Sequence, residues 1–168
     1  MSTKTIRIRV AEPLDAAGIA KVHDLAWMEA YRGIIPGQDL ERMVQRRGEN
    51  WWSNAIVKGS RIAVLNFDDQ IVGYTSYGRN RAVSLPYKGE VFELYLKPEF
   101  QGLGFGRRLF NAAQRELGNH GLASMVVWTL ADNERAVSFY EKLGGLMVGR
   151  AHETFGAISR ERLAFGWR

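Results

Sequence analysis

The sequence predicts a single α/β domain. Three observations carry that reading. Apolar residues alternate at every second position in some segments and follow helical spacing in others. The segments succeed one another in the order βαα-ββ-βα-βα-ββ. No repeat, low-complexity tract or linker divides the 168 residues, a length that suits one domain of ordinary size.

Each element has its own signal. Residues 5–10 alternate Ile6, Ile8 and Val10 with polar neighbours and predict a strand. Pro13 and Asp15 then announce a helix over residues 16–31, with Asp15 as its expected N-cap. Ile19, Val22, Leu25, Ala26 and Tyr31 form its apolar stripe. The GIIPG run at 33–37 breaks it. Residues 38–47 predict a second helix and 49–57 a further helical turn or more. Residues 61–67 and 70–78 read as two strands of a hairpin turning at Asp68-Asp69. Residues 80–89 are loop. Residues 90–96 have few polar interruptions and predict a central strand. A helix at 106–120, a buried strand at 123–130 and a helix at 133–143 follow. Asp132 or Asn133 starts the last helix and Gly144 stands at its C′ position. Residues 146–154 and 161–167 predict a closing antiparallel pair.

Composition narrows the function. Hydrophobic residues make up 46% and charged residues 24%, as in soluble globular proteins, so the expectation is a soluble cytoplasmic chain. The opening MSTKTIRIRV has no apolar run of signal-peptide length, and no stretch approaches the roughly 18 apolar residues of a membrane span. There is no cysteine, hence no disulfide, thiol nucleophile or cysteine-ligated metal. His23, His120 and His152 are the three histidines, and no pair has a helical metal-site spacing. Neither a metal nor a Ser-His-Asp site is expected. Net charge is +5 with a pI near 9.7, which suits an anionic ligand. No recognition helix or RNA-binding motif accompanies that charge, so a nucleic-acid partner is not expected.

The informative stretch is Gln101-Gly102-Leu103-Gly104-Phe105-Gly106, between a predicted strand and a predicted helix. A P-loop needs Lys-Ser/Thr after its last glycine, and Arg107-Arg108 stand there instead. A dinucleotide fingerprint starting at Gly102 and Gly104 needs a glycine at 107, which is Arg107. The spacing that fits is Q/R-x-x-G-x-G/A opening a helix. Its glycines let a diphosphate approach the backbone, and the helix N-terminus offers free N–H groups and about half a positive charge. Arg107 and Arg108 add to it.

Residues 90–117 resemble the coenzyme A-binding motif of the GNAT (Gcn-related) N-acetyltransferase superfamily. Leu94-Tyr95-Leu96-x-Pro98-Glu99-Phe100-Gln101-Gly102-x-Gly104-x-Gly106 is similar to that family's L-Y-V-x-P-x-x-Q/R-G-x-G-x-G. Asn133 to Gly144 (NERAVSFYEKLG) resembles N-x-x-A-x-x-F-Y-x-K-L-G-F, and residues 27–36 resemble the first-helix region of many bacterial members. Gly145 departs from the pattern, which usually has Phe, and Leu146 or Met147 is the expected replacement in the core.

The resemblance implies a single domain over residues 1–168, with a mixed, mostly antiparallel central sheet flanked by helices and a splayed central strand pair. It implies acetyl-CoA as cosubstrate, no metal, and direct transfer of acetyl to a primary amine of a small molecule or a protein, in a monomer or homodimer. The splay is expected between the strands at 90–96 and 123–130, with a bulge near 94–96 and a backbone N–H there to polarise the thioester carbonyl. Leu94, Tyr95 and Leu96 would hold the pantetheine arm together with Asn133. Gln101, Gly102, Leu103, Gly104, Phe105, Gly106 and Arg107 would hold the diphosphate. Tyr140, seven residues after Asn133 and so on nearly the same helix face, would protonate the departing thiolate.

A carboxylate would deprotonate the amine. Glu90 and Glu93 are the candidates, three apart and therefore expected on opposite strand faces. Trp27, Tyr31 and the 33–37 loop, with Tyr74 and Tyr77 on the hairpin, would form the acceptor side. Trp51-Trp52 is read as packing, and the Arg-Asn-Arg loop at 79–81 as solvated or as a lure for an acidic substrate. Transfer of a longer acyl group, or acyl-CoA binding without transfer, are the alternatives.

Overall fold

The structure, a computed structural model, describes residues 5–168. β1 (Ile6–Val10), β2 (Arg61–Phe67), β3 (Gln70–Arg79), β4 (Gly89–Leu96), β5 (Met125–Leu130), β6 (Leu146–Phe155) and β7 (Ile158–Trp167) form one seven-stranded sheet of order β1-β2-β3-β4-β5-β7-β6. All neighbours are antiparallel except β4 and β5. That parallel pair requires a crossover, which α4 (Phe105–Asn119) provides. α1 (Ala16–Tyr31), α2 (Gly37–Arg46) and α3 (Glu49–Val57) precede the β2–β3 hairpin, and α5 (Glu134–Lys142) follows β5.

Alternation along the strands feeds a core on each side of the sheet. On one face Tyr74 packs with Ile19, Val22 and Trp52 from α1 and α3. On the other, Tyr77 and Val91 pack with Phe110, Leu117 and Tyr140 from α4 and α5. The β2–β3 turn puts Asp68 and Asp69 at φ of 51° and 66°, the left-handed pair that a two-residue hairpin loop requires. Asp15 does not cap α1 as expected. Its carboxylate instead accepts from the Glu12 N–H at 2.7 Å and from Arg9 at 2.7 and 2.9 Å, because a 3-10 turn at Pro13–Asp15 intervenes.

Gly145 has a different explanation from the expected one. Leu146 and Met147 are exposed, 73% and 48%. The missing aromatic is supplied by Trp167 of β7. Its ring lies 4.9 Å from Phe110 and 6.1 Å from Tyr140, and its Nε1–H donates to the Leu143 carbonyl at 3.0 Å. A Cβ at residue 145 would fall 2.7 Å from that ring, so glycine at 145 and tryptophan at 167 are complementary.

Two irregularities of β4 position the site. Val91 pairs with Tyr77 and Glu93 with Ser76, so Phe92 is an extra residue in the ladder. The irregularity therefore lies before the expected 94–96. Ser76 and Gly78 share a face of β3, so their partners Glu93 and Glu90 share a face of β4. The expectation that these two carboxylates point to opposite faces fails for that reason. Further, β4 pairs with β5 only at Gly89–Val91. β5 continues to Leu130 on β7, and the two strands part from Phe92 onward.

Candidate active site

The strand-to-helix turn is open to approach from outside. Gly102 and Gly104 have φ of 74° and 86°, which L side chains rarely adopt. A Cβ at either would meet nothing within 4 Å. Gly104 is the N-cap of α4 and brings no capping side chain. The first bond closing the helix runs from the Arg108 N–H to the Gly104 carbonyl at 3.3 Å. The N–H groups of residues 104–107 thus lack intrahelical acceptors, and the helix dipole adds positive potential there. Chemically this is an anion cradle. Gly106 has a second role: a Cβ there would lie 3.1 Å from the Phe139 ring, so glycine lets α4 approach α5.

A cleft of about 590 Å³ runs from this turn to Tyr140. Leu94, Tyr95 and Leu96 line one wall, Gln101, Gly102, Gly104, Gly106 and Arg107 the turn, and Asn133 with Tyr140 the α5 side. The side chains of two expected cofactor residues do not line it. Phe105 is buried against Leu65, Val72 and Leu109, and Leu103 is 63% exposed without lining the cleft. Gln101 donates to the Leu96 carbonyl at 3.2 Å and to Glu29 at 3.3 Å, and accepts from Arg135. Arg135 also lies 3.5 Å from Glu29.

Asn133 caps α5, its side-chain oxygen accepting from the Ala136 N–H at 3.2 Å, and its place at the cleft is compatible with that bond. Tyr140 is enclosed by Phe110, Phe139, Phe165 and Trp167. Burial above all, then the nearby Tyr31, pushes its phenol well above the ordinary tyrosine range. Its hydroxyl therefore keeps its proton at neutral pH.

A smaller cavity of about 40 Å³ sits in the opening between β4 and β5. It shares Leu94, Tyr95, Asn133, Ala136 and Tyr140 with the cleft and adds Tyr31, Phe92, Glu93, Val127, Trp128 and Thr129. Glu93 lines it, with Arg47 donating to one oxygen at 2.6 Å and the Tyr74 hydroxyl to the other at 2.8 Å. Glu90 lines neither space. It is buried and held by Arg81, whose N–H and guanidinium donate at 3.0 and 2.8 Å. The Arg81 loop is thus a partner for Glu90.

The acceptor-side aromatics divide. Tyr31 faces the small cavity and exchanges a 2.7 Å hydrogen bond with Tyr95. Trp27 packs between His23, Tyr31 and Tyr95 and lines neither space. Tyr74 is fully buried and acts on Glu93. Tyr77 is on the opposite face with Phe110. Trp52 is core, as read, while Trp51 remains 42% exposed beneath Arg47. Phe92 and Trp128 were not legible as site residues: one depends on the bulge, the other on a strand that reads as core. Arg47 reaches Glu93 across 46 residues of sequence, a pairing no local pattern encodes. Among the described residues no group of three or more His, Asp or Glu could hold a metal. No described helix is long and apolar enough to cross a membrane.

Residues 19–145 match the acetyltransferase (GNAT) family, and the chain belongs to that family. It is 29% identical over 162 residues to the uncharacterized N-acetyltransferase YuaI of Bacillus subtilis, covering 96% of this chain and 92% of that protein. It is 34% identical over 114 residues to a mycothiol acetyltransferase of Paenarthrobacter aurescens, covering 67% of this chain but 33% of that protein. Among solved structures it is similar to the PaiA N-acetyltransferase of Thermoplasma acidophilum in complex with coenzyme A. That match has a TM-score of 0.79 at 21% identity, over 97% of this chain and 99% of that one.

Proposed function

We propose that this protein transfers the acetyl group of acetyl-CoA to a primary amine by direct attack. The observation that carries this reading is the continuity of the site. One cleft joins the anion cradle of α4 to Tyr140, and the cavity holding Glu93 opens beside the same tyrosine. The coenzyme A complex of the similar PaiA structure supports it. The residues present fit the cosubstrate, because open-faced glycines and unpaired N–H groups suit a diphosphate, and the unpaired part of β4 leaves backbone groups for the pantetheine amides.

Acetyl-CoA supplies an acyl carbon on a thiol leaving group: the amine nitrogen bonds to that carbon as the C–S bond breaks, one proton leaves the amine, and the sulfur takes one. Residues 101–107 hold the diphosphate and Asn133 the pantetheine arm. Tyr140 gives the proton to sulfur. Glu93 takes the amine proton, directly or through water, since an alkylamine with a pKa of about 10.4 must be neutral to attack. Arg47 and Tyr74 fix the direction of its carboxylate.

Binding and transfer are tested separately. Gly104→Val places a β-branched side chain in a left-handed position facing the cradle, and should weaken acetyl-CoA binding at least tenfold, roughly 1.4 kcal/mol. Unchanged affinity by calorimetry in a folded variant would overturn the diphosphate assignment. An amine panel with a thiol-release readout tests transfer, and binding without release would leave only an acyl-CoA-binding module. Glu93→Gln should cost on the order of tenfold or more in rate at neutral pH, recovering as pH rises and more acceptor is neutral. Glu90→Gln should lower the melting temperature through the lost Arg81 pair instead. Equal, small rate effects from both would remove any carboxylate base from β4.

A further inference from the structure

Arg162 is out of balance with its surroundings. It stands on β7 opposite Leu130, two residues from Ala164, which is opposite Trp128. Its guanidinium lies 4.4 Å over the Trp128 ring, and that ring lines the small cavity beside Glu93. Other arginines are matched: Arg47 with Glu93 at 2.6 Å, Arg81 with Glu90 at 2.8 Å and Arg160, two residues from Arg162, with Asp132 at 3.8 Å. Arg162 has no ion pair with any described carboxylate, and its Nε is buried without a hydrogen-bond partner. A half-buried donor left unmatched is costly. Stacking on an indole fixes the plane of the guanidinium and leaves its fork of donors pre-set for a planar oxyanion.

Tyr31 and Glu93 line the same cavity, and the Glu93 carboxylate is paired there with Arg47 at 2.6 Å. The Tyr31 phenol is pushed up to about 12, chiefly by burial, with the fields of Glu93 and Glu153 adding to the rise against the Tyr95 hydrogen bond. The cavity wall thus carries the Glu93 carboxylate, and the unmatched Arg162 stands over its Trp128 ring without itself lining the space.

We propose that the acceptor is a small amino acid-like molecule, whose amine is placed toward Glu93 and whose carboxylate is received by Arg162. Arg162 is then a specificity-determining residue for the transfer proposed above, on which this assignment rests. A carboxylate accepts two parallel N–H bonds from a guanidinium, and an amide of the same shape leaves the cation unpaired.

The test compares amino acids with their carboxamides as acceptors, with thiol release as the readout. In the unaltered protein kcat/KM should favour the free acids at least tenfold. In Arg162→Gln that ratio should fall to near one through a raised KM for the acids, and Arg162→Lys should restore part of it. Thermal melting checks that each variant is folded. Calorimetric titration of the CoA-saturated protein with an acid and its amide reads the same preference without turnover. Transfer to both at a ratio near one in the unaltered protein overturns the carboxylate assignment and leaves transfer standing. A ratio kept in Arg162→Gln overturns the role of Arg162. No release with any amine, while acetyl-CoA binds, overturns the transfer reading and this one with it.

Discussion

Tyr140→Phe is expected to lower turnover by roughly 10²-fold, within the range of general-acid assistance, while the KM for acetyl-CoA changes far less. The ring stays in place, so its contacts with Phe110, Phe165 and Trp167 survive. Only the hydroxyl goes. Burial holds that hydroxyl protonated well above the ordinary range, so the donor form persists through neutral and mildly alkaline pH. Its ionisation should therefore add no basic limb to the profile below about pH 10. Steady-state kinetics with both substrates varied checks the split. A loss shared equally by kcat and kcat/KM fits a group acting in the transfer step. A fully active variant would mean that water or another group protonates the thiolate.

The second large effect concerns stability in acid. His23 is fully enclosed between Trp27 and Trp52, with ring centroids at 4.7 and 5.8 Å. Its Nδ1 lies 3.5 Å from Asp24 Oδ1, yet neither ring nitrogen is hydrogen-bonded. Burial first, then the charge of Arg47, lowers its pKa from 6.5 to about 3. Above pH 6.5 both folded and unfolded chains carry it neutral, and it contributes no pH dependence. Below 6.5 the unfolded chain binds a proton that the folded chain refuses, so stability falls as pH drops toward 3. The slope is at most about 1.4 kcal/mol per pH unit for this one group, which amounts to several kcal/mol across the window. Urea midpoints from pH 7 to pH 4.5 measure it. His23→Phe keeps an aromatic ring and should flatten the slope by up to one proton. An unchanged slope in that variant would show that His23 is protonated in the folded protein.

Local chemistry was enough for much of the chain. Asp68-Asp69 between two alternating runs gave the hairpin, and the 101–106 glycines before an amphipathic run gave the turn and helix α4. Asn133 and Tyr140, seven apart on one helix, reach one cleft because helical spacing is a local rule. These features depend on neighbours in sequence, so the sequence by itself determined them. Tertiary structure decided the rest. The extra residue at Phe92 turned Glu90 and Glu93 to the same face, and a bulge is set by the partner strand. Arg81 and Arg47 then gave those carboxylates different surroundings. Trp167 filled the space that Gly145 leaves open. Each of these outcomes joins residues that pair or pack only after the sheet has formed, and side chains brought together from distant segments settle their contacts by the space and charge they find there.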